Sequence, residues 1–166
     1  MNAEDINPFI NSVHELFENM LDCKITTGQP SLAEKDSTDS FLIGVIGLSG
    51  TVQGIVALTL PVNTALNMIG HMVGAKFEEV DASIIDGVGE LVNMIAGNAK
   101  TKFEDHSINL SLPTVVRGTI YNVCNAKDSV FLAIPFNSEL GDFSLMVAIK
   151  PVIVSEKEAT HACISG

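Results

Sequence analysis

The 166-residue chain carries 20 acidic against 9 basic side chains, a formal charge of −11. That balance argues against a nucleic-acid or anionic-membrane partner, since both are held by clustered Lys and Arg. With 46% hydrophobic and 17% charged residues, no Trp and one Tyr, the composition excludes intrinsic disorder and predicts a core of aliphatics, Met and Phe.

Residues 1–154 are expected to form one domain, and the small, polar residues 155–166 a flexible tail. Ile6, Phe9, Ile10, Val13, Leu16, Phe17, Met20 and Leu21 recur at steps of three and four and predict an amphipathic helix. Asn7-Pro8 reads as its cap and first-turn proline, unless the helix starts a turn earlier, as Ile6 suggests. A short extended piece over Lys24 to Thr27 leads into a Pro-, Ser- and Asp-containing loop over Gln29 to Ser40. Phe41 to Leu48 and Thr51 to Leu60 read as antiparallel strands joined by Ser49-Gly50 and ended by Pro61. Ala65, Leu66, Ile69, Met72 and Val73 predict a second helix capped by Gly74. A long helix follows from Ala82 to about Phe103, then a strand from His106 to Leu112 stopped by Pro113. One strand is expected within Val115 to Val123, and a hairpin from Ser129 to Phe136 and Phe143 to Lys150, closed by Pro151.

The first and long helices align with Val13 on Val88, Glu15 on Glu90, Leu16 on Leu91 and Met20 on Ile95. Each is followed by strands ending in a proline-terminated hairpin, so the expectation is an α+β fold of two similar halves sharing an antiparallel sheet with helices packed on it. The alternative is coincidence between two amphipathic helices. The opening acidic residues, the absence of a long apolar run, and the odd, scattered Cys23, Cys124 and Cys163 point to a soluble cytoplasmic protein with reduced thiols. His14, His71, His106 and His161 are scattered, and no His-Glu-x-x-His, phosphate loop or nucleophile elbow is present.

On the long helix Asp86, Glu90, Asn93, Gly97 and Lys100 fall within roughly 40° of a common direction, opposite Val88, Leu91, Val92, Ile95, Ala99 and Phe103. A solvated face is one reading of this stripe. Two features invite another: Gly87, Gly89 and Gly97 each carry a helix cost of about 1 kcal/mol relative to Ala, and Asn93 is a poor helix former. Close packing of the helix would explain the glycines, and so would a partner approaching its backbone.

The run Asp86-Gly87-Val88-Gly89-Glu90-Leu91-Val92-Asn93, continued to Pro113 and Gly118, resembles the signature of the CheC/CheX/FliY family of chemotaxis phosphatases. That signature is an Asp or Ser, three residues, Glu, two residues, Asn, and a later Pro. Glu15 matches Glu90, but Glu18 stands where Asn93 would be matched, so the chain is similar to CheX-type members with a single Glu-x-x-Asn site. The resemblance implies a homodimer built by edge pairing or exchange of β structure. It also implies hydrolysis of the aspartyl phosphate of a CheY-type response regulator.

Under that resemblance Glu90 and Asn93 are the catalytic pair, with Asn93 orienting the attacking water and Glu90 pairing with a lysine of the regulator. An uncharged amide holds water beside an anionic phosphoryl group where a carboxylate would be repelled. Asp86 would contact the partner or cap the helix, Gly89 and Gly97 would allow close approach, and Lys100 would assist docking. The Mg²⁺ would belong to the regulator, with no metal site in this chain. Two rival readings are a non-catalytic dimer that sequesters a response regulator or motor component, and a flagellar-switch subunit.

Overall fold

The computed structural model describes residues 3–32, 40–103, 107–118 and 131–152. The Ile-, Val- and Leu-rich stretch after residue 40 forms the longest hairpin, β3 (Phe41–Gly50) and β4 (Val52–Pro61), registered from Phe41 opposite Pro61 to Leu48 opposite Gly54. Ahead of it lie α1 (Ala3–Met20), β1 (Ile25–Thr27) and β2 (Ser31–Leu32). After it come α2 (Val62–Val73), α3 (Ala82–Thr101), β5 (Ile108–Leu110), β6 (Thr114–Gly118), β7 (Leu132–Ser138) and β8 (Phe143–Pro151).

All strand pairings are antiparallel, in the order β1-β7-β8-β4-β3-β5, with β2 also on β7 and β6 also on β3. The duplicated order is visible in this sheet. Exchanging β1 to β4 with β5 to β8 turns the strand order into its own reverse, which places a pseudo-two-fold axis between β4 and β8. Each half lends its two short strands to the hairpin of the other, so neither half completes its sheet alone.

Period-two alternation sends Val56, Leu58 and Leu60 of β4 and Leu145 and Val147 of β8 to one side. There they join the apolar faces of α1, α2 and α3 in one continuous core. Phe143 stacks on both Phe17 of α1 and Phe136 of β7, each at a centroid distance of 5.1 Å. No helix among the described residues is long and apolar enough to cross a membrane.

α1 starts at Ala3, the earlier of the two starts the sequence left open, so Pro8 lies inside it and Asn7 is not its cap; a proline this near the start removes one intrahelical bond while the apolar stripe stays in register. Other expectations are corrected. Ser31 and Leu32, expected in a loop, pair with Ala133 and Leu132, because β7 supplies the backbone partners. Ser49-Gly50 is not a two-residue turn: both residues pair with Asn109 and Ile108 of β5. Gly50 has φ +108°, and a Cβ there would collide with the carbonyl of Ser107, to which the Thr51 amide donates at 2.9 Å. Among the described residues the strand expected at His106 to Leu112 is β5, and that within Val115 to Val123 is β6, which runs from Thr114 to Gly118. Residues 119–123 and 155–166, His106, His161, Cys124 and Cys163 lie outside the described residues.

Candidate functional site

The long helix is built as its periodicity requires. Asp81 caps it, its side chain accepting the Ile84 amide hydrogen at 3.0 Å, so Asp86 has no capping role and stands in the second turn. The buried side of α3 carries Ile84, Val88, Leu91, Val92, Ile95 and Ala99. The helix crosses β3 at Gly44, where a Cβ would come within 3.1 to 3.2 Å of Val92 and Val88.

On the opposite side Asp86, Glu90 and Lys100 are exposed, and Asn93 and Gly97 are partly so. Residues three and four apart on a helix are surface neighbours. Among the described residues no side chain of Asp86, Glu90, Asn93 or Lys100 has a hydrogen-bond or ion-pair partner. A carboxylate and a carboxamide therefore stand on successive turns, with an ammonium two turns further on, and all three have side-chain bonding capacity unused within the chain.

The three glycines of α3 serve different ends. Gly87 packs against α2, where a Cβ would lie 2.7 Å from Ile69 Cδ1. Gly89 is buried, and a Cβ there would meet Val115 at 3.6 Å and Pro113 at 3.7 Å, so its close neighbours belong to the chain itself. Gly97 has nothing within 4 Å of such a Cβ and is open to whatever docks.

Pro113, twenty residues from Asn93 in the sequence, is thereby brought against the helix one turn before Asn93. Its segment is held by a reciprocal pair of bonds: the Ser111 amide donates to the Gly47 carbonyl at 2.9 Å, and the Gly47 amide donates to Ser111 Oγ at 2.9 Å. Local sequence offers no sign of this clamp, because its members are far apart in the chain.

The first half treats its equivalent of Glu90 differently. Glu15 Oε1 lies 2.7 Å from Lys102 Nζ at the end of α3, with both side chains partly shielded. Glu18 is exposed. His14 and His71 are engaged at 2.7 Å with Thr27 Oγ1 and the Leu21 carbonyl respectively. Among the described residues no three His, Cys, Asp or Glu are grouped to hold a metal ion.

The sequence model of the family described as chemotaxis phosphatase CheX matches residues 42–137, a range that contains α3 and Pro113. The CheY-P phosphatase CheX of Thermotoga maritima is 30% identical over 156 residues, spanning 90% of this chain and 98% of that protein. The crystal structure of a CheC-like superfamily protein from Shewanella sp. PV-4 superposes with a TM-score of 0.80 at 29% identity, covering 90% of this chain and 99% of that one. A chain of the CheX-CheY-BeF3-Mg²⁺ complex from Borrelia burgdorferi shares the fold, with a TM-score of 0.72 at 22% identity over 87% of this chain and 97% of that one.

Proposed function

We propose that this chain, which belongs to the chemotaxis phosphatase CheX family, hydrolyses the aspartyl phosphate of a CheY-type response regulator. The observation that carries the reading is the freedom of Glu90 and Asn93. They stand one turn apart on the outer side of α3 without internal partners, while Glu15, at the equivalent place in α1, is held by Lys102. The Thermotoga relative's name supplies the substrate class.

In the reaction, water attacks phosphorus and the bond to the aspartyl oxygen breaks, releasing inorganic phosphate and restoring the carboxylate. An acyl phosphate leaves readily, so catalysis consists chiefly of holding water in line. The Asn93 carboxamide does this as acceptor and donor without repelling the phosphoryl oxygens. Glu90 pairs with a lysine of the regulator and sets the depth to which Asn93 reaches. Asp86, Gly97 and Lys100 line the docking surface, and Gly89 lets Pro113 close against its edge. The Mg²⁺, which neutralises phosphoryl charge, belongs to the regulator. The chain works in the cytoplasm as a homodimer associated through its sheet.

The test is the decay of a phosphorylated CheY-type regulator in Mg²⁺, alone, with this protein, and with its Asn93→Ala and Glu90→Ala variants. Acceleration that disappears in Asn93→Ala while binding persists is the expected result. Binding without acceleration by the wild type would replace this reading with that of a sequestering module.

A further inference from the structure

Among the described residues Leu112, at 87% exposed, has the highest value of the large hydrophobic side chains; Leu32, at 63%, comes next. Water contact over nearly a whole leucine side chain forgoes the stabilisation that burying it would give. Nothing in the local fold requires an apolar residue there, since Leu112 belongs to neither β5 nor β6.

Its presentation is rigid. Ser111 is tied to Gly47 by the two bonds described above, and Ser111 Oγ also donates to the Leu112 carbonyl at 2.9 Å. Pro113 follows, confining Leu112 to extended backbone, and rests near Gly89, the residue before Glu90. Leu112 is therefore the chain neighbour of the proline that borders the stripe carrying Glu90 and Asn93, on a segment with little conformational freedom left to lose on binding.

Electrostatics makes such an anchor useful. The chain carries a charge of −11 and the phosphoryl group of the proposed target is anionic, so an uncharged contact adds affinity without like-charge repulsion at the docking face. We propose that Leu112 is the apolar anchor of the docking face: it inserts into an apolar recess of the phosphorylated regulator beside the phosphoaspartate, while Glu90 and Asn93 engage the phosphorylation site itself. This rests on the hydrolytic reading above and deepens it by naming a specificity-determining contact outside the helix.

The experiment measures kcat and KM for dephosphorylation of the regulator by the wild type and by Leu112→Ala, Leu112→Asp, Leu112→Met and Leu32→Ala, the last being the control on the other half's edge strand. Where the regulator is bound without turnover, Kd takes the place of KM. The expected result is a rise in KM on the order of 10-fold for Leu112→Ala and a larger one for Leu112→Asp. Leu112→Met should stay near wild type, kcat should move little in any variant, and Leu32→Ala should leave KM unchanged. If the wild type dephosphorylates the regulator but Leu112→Ala and Leu112→Asp shift KM no more than Leu32→Ala does, the anchor is overturned and the hydrolytic reading stands. If those variants instead lower the mass seen by light scattering with KM unchanged, Leu112 serves contact between copies, and the anchor is again overturned. A wild type that neither binds nor dephosphorylates the regulator removes the hydrolytic reading and this inference together.

Discussion

Replacing the helical glycines of α3 one at a time separates packing from docking. Gly97→Ala adds a methyl group with nothing within 4 Å of it, so only helix propensity acts, and the variant gains about 0.8–1.0 kcal/mol. For a chain of this size that raises Tm by about 2–4 °C. Gly87→Ala makes the same backbone gain but drives its methyl to 2.7, 2.9 and 3.0 Å from three atoms of Ile69. Ile69 is 1% exposed, and its β-branch leaves little rotamer freedom to yield. Overpacking of this kind costs about 1–3 kcal/mol, so the net change runs from about zero to a loss of about 2 kcal/mol once the helix gain of about 1 kcal/mol is set against it.

Gly89→Ala meets Val115 and Pro113 at 3.6 to 3.8 Å, ordinary contact, and keeps most of the helix gain. Urea and thermal unfolding followed by circular dichroism give the three values, and the regulator dephosphorylation assay is run on the same samples. Gly97→Ala is expected to be the more stable protein and, if the regulator docks on this stripe as proposed, the slower phosphatase, with kcat/KM down several-fold. A Gly97→Ala protein less stable than wild type, or a Gly87→Ala protein as stable as Gly97→Ala, would refute the packing argument. A stabilised Gly97→Ala with full activity would move the docking contact towards the start of the helix.

Two further stability predictions follow from single contacts. Thr59 on β4 is 2% exposed, and its Oγ1 has no partner among the described residues; Thr59→Val should stabilise the protein by about 1 kcal/mol, and a lower Tm would mean that the hydroxyl is engaged after all. Lys102→Met breaks the 2.7 Å pair with Glu15, whose side chains are 29% and 45% exposed, and should cost only about 0.5–1 kcal/mol. In a double-mutant cycle, Glu15→Gln should add little to Lys102→Met; additive losses would show that the pair is not coupled.

Helical periodicity placed α3 and the stripe from Asp86 to Lys100 without help from the fold, since residues three and four apart are neighbours wherever a helix forms. The Gly74 cap of α2 was legible for the same reason: a left-handed terminus, here φ +69°, asks locally for glycine. The duplicated order of helix and hairpin could likewise be read from residue correspondences such as Glu15 with Glu90.

Everything that depends on chain segments meeting from a distance was decided by the tertiary structure. Ser49 and Gly50 look like a turn until β5 pairs with them. Gly89 looks like an opening for a partner until Pro113 and Val115 pack beside it. The Glu15 carboxylate looks as free as that of Glu90 until Lys102 takes it. Local sequence specifies dihedral preferences and the apolar side of each element, and these determine which residues share the outer side of α3. Which of those residues remain unengaged depends on contacts closed by the sheet, whose halves complete one another across strands far apart in the chain.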